Sequence, residues 1–206
     1  MTSELMRDII RLKSIADLGL LYHNNDFDKE RYEELREISL RMLSIFSSQS
    51  MDELNTLLPV AKDYPTVKVD IRALILSPDK KVLLVKESMD GKWSLPGGWA
   101  DVGYSAKETI IKEIKEETGL DAEVKYLLAV FDKHKHLHPP EPHYVFKLLF
   151  YCKAISTELQ KGFDVLDVGY FNIDELPELS TNRILKTQLE LVYNKVIENN
   201  FEPYVD

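Results

Sequence analysis

Glu113, Glu116 and Glu117 stand at i, i+3 and i+4 in the run Lys112-Glu113-Ile114-Lys115-Glu116-Glu117-Thr118-Gly119-Leu120, which follows the turn Pro96-Gly97-Gly98. On a helix these positions share one face, so three carboxylates point at a common place. Like charges at that spacing repel by roughly 0.2–0.5 kcal/mol per pair. Glu116 and Glu117 also lie in the last turn, where the macrodipole favours cations. Such a face calls for positive charge. Carboxylate oxygens, joined by a backbone carbonyl from Gly97 or Gly98, are the donor set of a hard cation, Mg²⁺ or Mn²⁺. The competing reading is a solvated acidic face screened by Lys112 and Lys115; the glycine turn directly upstream favours the metal.

The elements that must position these groups are legible nearby. Ser105 with Glu108 three residues on is a capping box, and Gly119 suits a left-handed C-terminal cap, which predicts a helix over residues 106–118. Ile110, Ile111 and Ile114 form its apolar stripe. Upstream, Val67, Val69, Ile71 and Ala73 alternate with polar residues, Asp79-Lys80 marks a turn, and Val82 to Val85 is an apolar run, together reading as strand, turn, strand. Further strands are expected at Glu123–Phe131, Tyr144–Ala154 and Asp167–Asn172. A closing helix is expected after Ser180, with Leu185, Leu189, Val192 and Val196 on one face.

With Gly98, Glu113, Ile114, Glu116, Glu117, Gly119 and Leu120 in place, the segment resembles the Nudix box: Gly, five residues, Glu, seven residues, then Arg-Glu-apolar-x-Glu-Glu-x-Gly-apolar. Two positions depart from it, Tyr104 where the box has Glu and Lys112 where it has Arg. A lysine does not hold a carboxylate bidentately as a guanidinium does, and Asp101 is the candidate substitute carboxylate. The resemblance covers residues 66–206 and implies an α/β fold, the Nudix α/β/α sandwich with a mixed sheet. It also implies a pyrophosphatase reaction: water attacks phosphorus in a nucleoside diphosphate linked to a further moiety. Mg²⁺ or Mn²⁺ would be held by Glu113, Glu116 and Glu117 with a carbonyl of Gly97 or Gly98. Glu116 and Glu141 are the candidates for the final proton acceptor. Arg72, Lys86 and His134 are candidates to meet phosphate or sugar. Trp99 and Tyr104, with Trp93 and Tyr144, are candidates to stack on a base, although packing is the simpler role for any one aromatic.

Residues 1–62 are a different kind of sequence. Leu5, Ile9, Leu12 and Ala16 make one helical stripe, Leu35, Ile38, Met42, Ile45 and Phe46 make another, and Asn24-Asn25-Asp26 separates them. A helical module this small buries too little surface to stand alone, so docking or homodimerisation is its expected role. It resembles the N-terminal helical module of some Nudix hydrolases of X-linked nucleoside diphosphates, including the CDP-choline pyrophosphatase type. The resemblance implies CDP-choline as substrate, yielding CMP and phosphocholine. ADP-ribose or a nucleotide sugar is the first alternative, hydrolysis at an RNA end (a 3′-exonuclease reaction) the next, and a non-catalytic nucleotide sensor the last. Residues 66–206 are then the hydrolase domain.

Charge narrows the partners. Residues 1–62 carry eight Lys and Arg against eleven Asp and Glu, which is no footprint for duplex DNA. The net charge of −9 over 206 residues argues against anionic membranes and long-range nucleic-acid steering, leaving only a short RNA end as a nucleic-acid substrate. No apolar run approaches the roughly 20 residues of a bilayer span. The N-terminus has no secretory pattern, and the single Cys152 pairs with nothing within the chain, so the cytoplasm is expected. The segment His134-Lys135-His136-Leu137-His138-Pro139-Pro140-Glu141-Pro142-His143 holds four of the five histidines. It reads as a loop bordering the active site, with a zinc site as the lesser alternative.

Overall fold

The structure, a computed structural model, describes residues 2–206. Two compact units emerge, one formed by the chain up to Lys68 together with His134–Val145, the other by Val69–Lys133 and Phe146–Asp206.

The first unit is built on three helices, α1 (Thr2–Tyr22), α2 (Asp26–Ser47) and α3 (Met51–Leu57). Asn25 caps α2 by accepting the Asp28 N–H at 2.8 Å, so the expected break is a true helix start. Helix α3 is additional to the two expected stripes, and Ser50 and Glu53 form the capping box that announces it. Met6, Ile9, Ile10, Leu40, Leu43 and Leu54 form the core, with Tyr144 of the returning loop packed against it. The expected stripes hold at Ile9 and Ala16, which are buried, and at Met42 and Phe46, which pack against this core, and are corrected elsewhere. Leu5 and Leu12 are 42% and 38% exposed, and Ile38 and Ile45 also face outward. A buried ion pair turns the helices: Arg36 Nε donates to Asp17 at 3.2 Å, and its terminal nitrogens reach Asn55 at 3.2 Å and the Leu58 carbonyl at 2.5 Å. Periodicity assigns charged residues to the outside, so it rotates the apolar face by about one residue when two of them are paired inside.

The second unit places strands between two helices. One sheet has the order β4-β1-β6-β5-β8, from β1 (Lys68–Ile75), β4 (Gly97–Trp99), β5 (Ala122–Asp132), β6 (Val145–Ala154) and β8 (Tyr204–Val205). The other has the order β3-β2-β7, from β2 (Val82–Glu87), β3 (Trp93–Ser94) and β7 (Val165–Phe171). The β5–β8 pairing is parallel and β1–β4, β2–β3, β2–β7 and β5–β6 are antiparallel, as expected of a mixed sheet. Strand alternation divides the core. Ile71, Ala73, Ile75 and Leu83 pack with Ile110 and Ile114 of α4 (Ala106–Thr118), whereas Leu74, Val82 and Leu84 pack with Leu189, Val192 and Val196 of α5 (Lys186–Ile197). This is the expected α/β/α sandwich.

Helix α4 has the expected limits, with the Ser105–Glu108 box at one end and Gly119 at φ 73° at the other. Helix α5 starts later than expected. Ser180 donates its N–H to the Trp93 carbonyl at 2.7 Å and its hydroxyl to Asp90 at 2.7 Å, which holds residues 181–183 in a turn. The short strands β3, β4 and β8 carry too few residues for a period to register. Among the described residues no helix is long and apolar enough to cross a membrane.

Candidate active site

The site grows from the contact between α4 and β4. Gly97 adopts φ 137°, and a Cβ built there would lie 2.0 Å from the Ile71 carbonyl oxygen, so only glycine lets β4 approach β1 this closely. In that position the Gly97 N–H donates to Glu117 Oε2 at 2.8 Å. One residue on, a Cβ at Gly98 would stand 3.1 Å from both carboxylate oxygens of Glu113. The glycine turn and two of the three helical glutamates thus form one contact surface.

Their environments differ. Glu117 is 4% exposed, and burial pushes its carboxyl up to about 8 against the opposing pull of Arg72 and the Gly97 N–H. Glu113 is half-buried and also raised, by burial first and by the nearby carboxylates of Glu116 and Asp164. Glu116 is exposed, with Lys112 Nζ at 3.5 Å. Lys112 also meets Asp101 Oδ2 at 3.3 Å and the Tyr104 ring at 5.9 Å from its centroid. The two departures from the box pattern are therefore in mutual contact.

Arg72, on β1, is inside rather than open to solvent. Its Nε donates to Asp70 at 3.0 Å and its terminal nitrogen to the Leu95 carbonyl at 3.1 Å and to Glu87 at 3.4 Å. Burial opposes its charge, yet Asp70, Glu87 and Glu117 hold its pKa above the ordinary value. Glu87 pairs in turn with Arg183 at 2.8 Å, and Asp70 with Lys147, whose amine is lowered to about 8 by burial. Asp70, Glu87, Lys147, Arg183 and Asp164 were not singled out from sequence. A usable signal exists for two of them: Asp70 sits two before Arg72 on a strand and so shares its face, and Lys147 interrupts an otherwise apolar run.

The remaining sequence candidates fall in both units. Lys86 is half-buried on β2, and Trp99 and Tyr104 are about half exposed. His134 and Glu141 belong to the first unit, where His134 stacks on Tyr144 with ring centroids 4.7 Å apart.

Among the described residues no three carboxyl, imidazole or thiol groups are already drawn together tightly enough to hold an ion. The donor chemistry nevertheless fits a hard divalent cation. Two carboxyls with raised pKa values lie against a glycine turn, one oxygen of Glu117 is fixed by an N–H, and the exposed Glu116 on the same helix is a further oxygen donor. Gly97→Ala would break this construction. It is expected to cost about 3 kcal/mol or more in urea unfolding, from strain and backbone collision. Gly103→Ala, at φ 94° but with open space at the Cβ position, is expected to cost about 1 kcal/mol.

Comparison with known proteins matches both segments of the chain. Residues 3–58 match the family described as UDP-X-like, N-terminal oligomerisation domain, and residues 66–191 match the NUDIX domain. The Bacillus subtilis protein YjhB is 38% identical over 184 residues, covering 89% of this chain and 88% of the relative. The crystal structure of a UDP-X diphosphatase is 38% identical, with TM-score 0.64, covering 100% of this chain and 99% of that one. That of an ADP-ribose pyrophosphatase from Streptococcus suis is 40% identical, with TM-score 0.62, covering 68% of this chain and 100% of that one. An acidic helix face seated on a glycine turn, in a chain whose two segments both match, makes this protein a member of the Nudix hydrolases, a pyrophosphatase with an N-terminal oligomerisation domain.

Proposed function

We propose that this enzyme is a Mg²⁺-dependent pyrophosphohydrolase of nucleoside diphosphates linked to a second moiety, with CDP-choline, cleaved to CMP and phosphocholine, as its leading substrate. The observation that carries the chemistry is the pairing of Glu113 and Glu117 with the Gly97-Gly98 turn. The N-terminal module carries the substrate class, because a domain of UDP-X-like type accompanies the hydrolase domain. ADP-ribose is the second reading, favoured by the 40% identity to the Streptococcus suis ADP-ribose pyrophosphatase.

Glu113, Glu116 and Glu117, with a carbonyl of Gly97 or Gly98, would hold the cation. When bound, it supplies charge neutralisation to the pyrophosphate and a lowered pKa to the attacking water. Gly97 fixes one Glu117 oxygen and so orients the other. Glu116 and Glu141 are the two candidates to accept the proton. Arg72 acts from inside by favouring ionisation of Glu117 against the larger effect of burial, and Lys86, Trp99, Tyr104 and His134 are the candidates for contacting substrate.

We assign residues 1–62 to homodimerisation and 66–206 to hydrolysis, in the cytoplasm. Support for the dimer comes from Leu5, Leu12 and Ile15 on α1 and Ile38 and Ile45 on α2, apolar side chains left exposed on helices of an oligomerisation domain.

Hydrolysis of CDP-choline, ADP-ribose, a UDP-sugar and a short RNA, with and without Mg²⁺ and with products identified by mass, tests the proposal. Metal-dependent release of CMP and phosphocholine is expected. Preferential turnover of ADP-ribose would move the assignment to the second reading, and binding without turnover of any of the four would reject the enzyme assignment for these substrates.

A further inference from the structure

Lys112 is placed where it could disable the site. An ammonium that paired fully with Glu116 would occupy the carboxylate that the divalent cation needs. The other lysine on this part of α4, Lys115, is committed elsewhere, to Asp121 at 2.9 Å and to the Gly119 carbonyl at 2.9 Å. Lys112 is therefore the competing cation.

What surrounds it is built by one turn. Tyr104 donates its N–H to the Asp101 carbonyl at 3.3 Å, and Gly103 takes φ 94° between them, just before Ser105 caps α4. The turn brings two side chains of different chemistry to the same ammonium. Asp101 Oδ2 lies 3.3 Å from Lys112 Nζ, nearer than Glu116 at 3.5 Å, and the π-face of Tyr104 adds a second attraction at 5.9 Å. Both acids lie beyond the distance of a tight ion pair, so the ammonium is shared rather than owned.

We propose that Asp101 and the Tyr104 ring draw Lys112 away from a full pair with Glu116, leaving the Glu116 carboxylate able to turn toward a divalent cation. Asp101, Tyr104 and Lys112 are thus positioning residues, and the proposal rests on Glu116 being a metal ligand. Without Asp101, Lys112 closes on Glu116 and must be displaced before the metal binds. All these groups are substantially exposed, so solvent screens the competition and the effect is a modest change in affinity rather than a loss of the site.

The distinguishing experiment is a double-mutant cycle read by Mn²⁺ titration of the metal-free protein. Asp101→Asn is expected to weaken Mn²⁺ binding about three- to fivefold. In the Lys112→Met background the same substitution is expected to change binding by less than about twofold, because no ammonium remains to be released. An equal loss in both backgrounds would show that Asp101 acts through its own charge or as a ligand, and would overturn the proposal while leaving the metal assignment intact. Mn²⁺ affinity unaffected by Asp101→Asn in the parent protein overturns it equally. If the parent protein binds no Mn²⁺, the metal assignment falls, and the proposal with it.

Discussion

Glu117→Gln is expected to abolish hydrolysis and leave the fold standing. The substitution keeps the size of the side chain, and its amide oxygen still accepts the Gly97 N–H, which Glu117 accepts at 2.8 Å. What disappears is the negative charge. A cation that stabilises transition-state charge by several kcal/mol needs that charge to remain bound, and each 1.36 kcal/mol is about tenfold in rate. The expected fall in kcat is about 10³ or more. The same substitution removes a buried carboxylate whose ionisation is opposed by its surroundings, so the metal-free variant should be at least as stable as its parent above about pH 7. Turnover within about tenfold of the parent would exclude Glu117 from the metal site. Loss of activity accompanied by unfolding would assign Glu117 a structural role instead.

Metal-free protein should be least stable near pH 8. Burial first, then the neighbouring acids, raise Glu117 from 4.5 to about 8, while Arg72 and the Gly97 N–H pull the other way. Its folded pKa thus exceeds its unfolded one. Between those values the unfolded chain binds fewer protons, and stability falls as pH rises. The contribution is fully present below about 4.5 and is lost by about 8. Glu113 and Glu87, both raised by burial, tilt the curve in the same direction. Lys147 has the opposite sign: its amine is lowered from 10.5 to about 8, so between those values the unfolded chain binds more protons and stability recovers with pH. One proton bound in the folded protein and not in the unfolded chain changes stability by about 1.4 kcal/mol for each step of one in pH. Urea unfolding in a chelator should therefore show a loss of about 3 kcal/mol between about pH 5.5 and pH 8. Glu117→Gln should flatten most of that limb, and Lys147→Met the alkaline one. Saturating Mg²⁺ should restore stability at pH 8 in the parent and not in Glu117→Gln. An unchanged slope in Glu117→Gln would mean that this carboxyl is already ionised in the folded protein.

These predictions depend on quantities that are unevenly visible in the chain. The helix carrying the glutamates was legible to the residue, because Ser105, Glu108 and Gly119 are local signals whose hydrogen bonds close within one turn. That Glu113, Glu116 and Glu117 share a face followed from the helical repeat alone. Helix α3 is announced by an equally local signal, the box at Ser50 and Glu53. The stripes of α1 and α2 are only partly legible, for a different reason. Asp17 and Arg36 are charged, and nothing local says that they meet across 19 residues of chain. In the sequence Arg72 is a candidate to meet phosphate or sugar; its partners Asp70, Glu87 and the Leu95 carbonyl come from one strand position and two later segments that only the fold brings near.

By itself, the sequence set Glu113, Glu116 and Glu117 on one helix face behind a glycine turn, because backbone geometry alone gives them a common direction, and the resemblance to the Nudix box implied what that face does. The tertiary structure decided how those carboxylates differ. Burial made Glu117 the reluctant anion, the Asp101–Tyr104 turn chose the partners of Lys112, and the close approach of β4 to β1 gave Glu117 its N–H. Desolvation and ion pairing depend on what lies within a few ångströms in space, and those neighbours come from residues far apart in the chain.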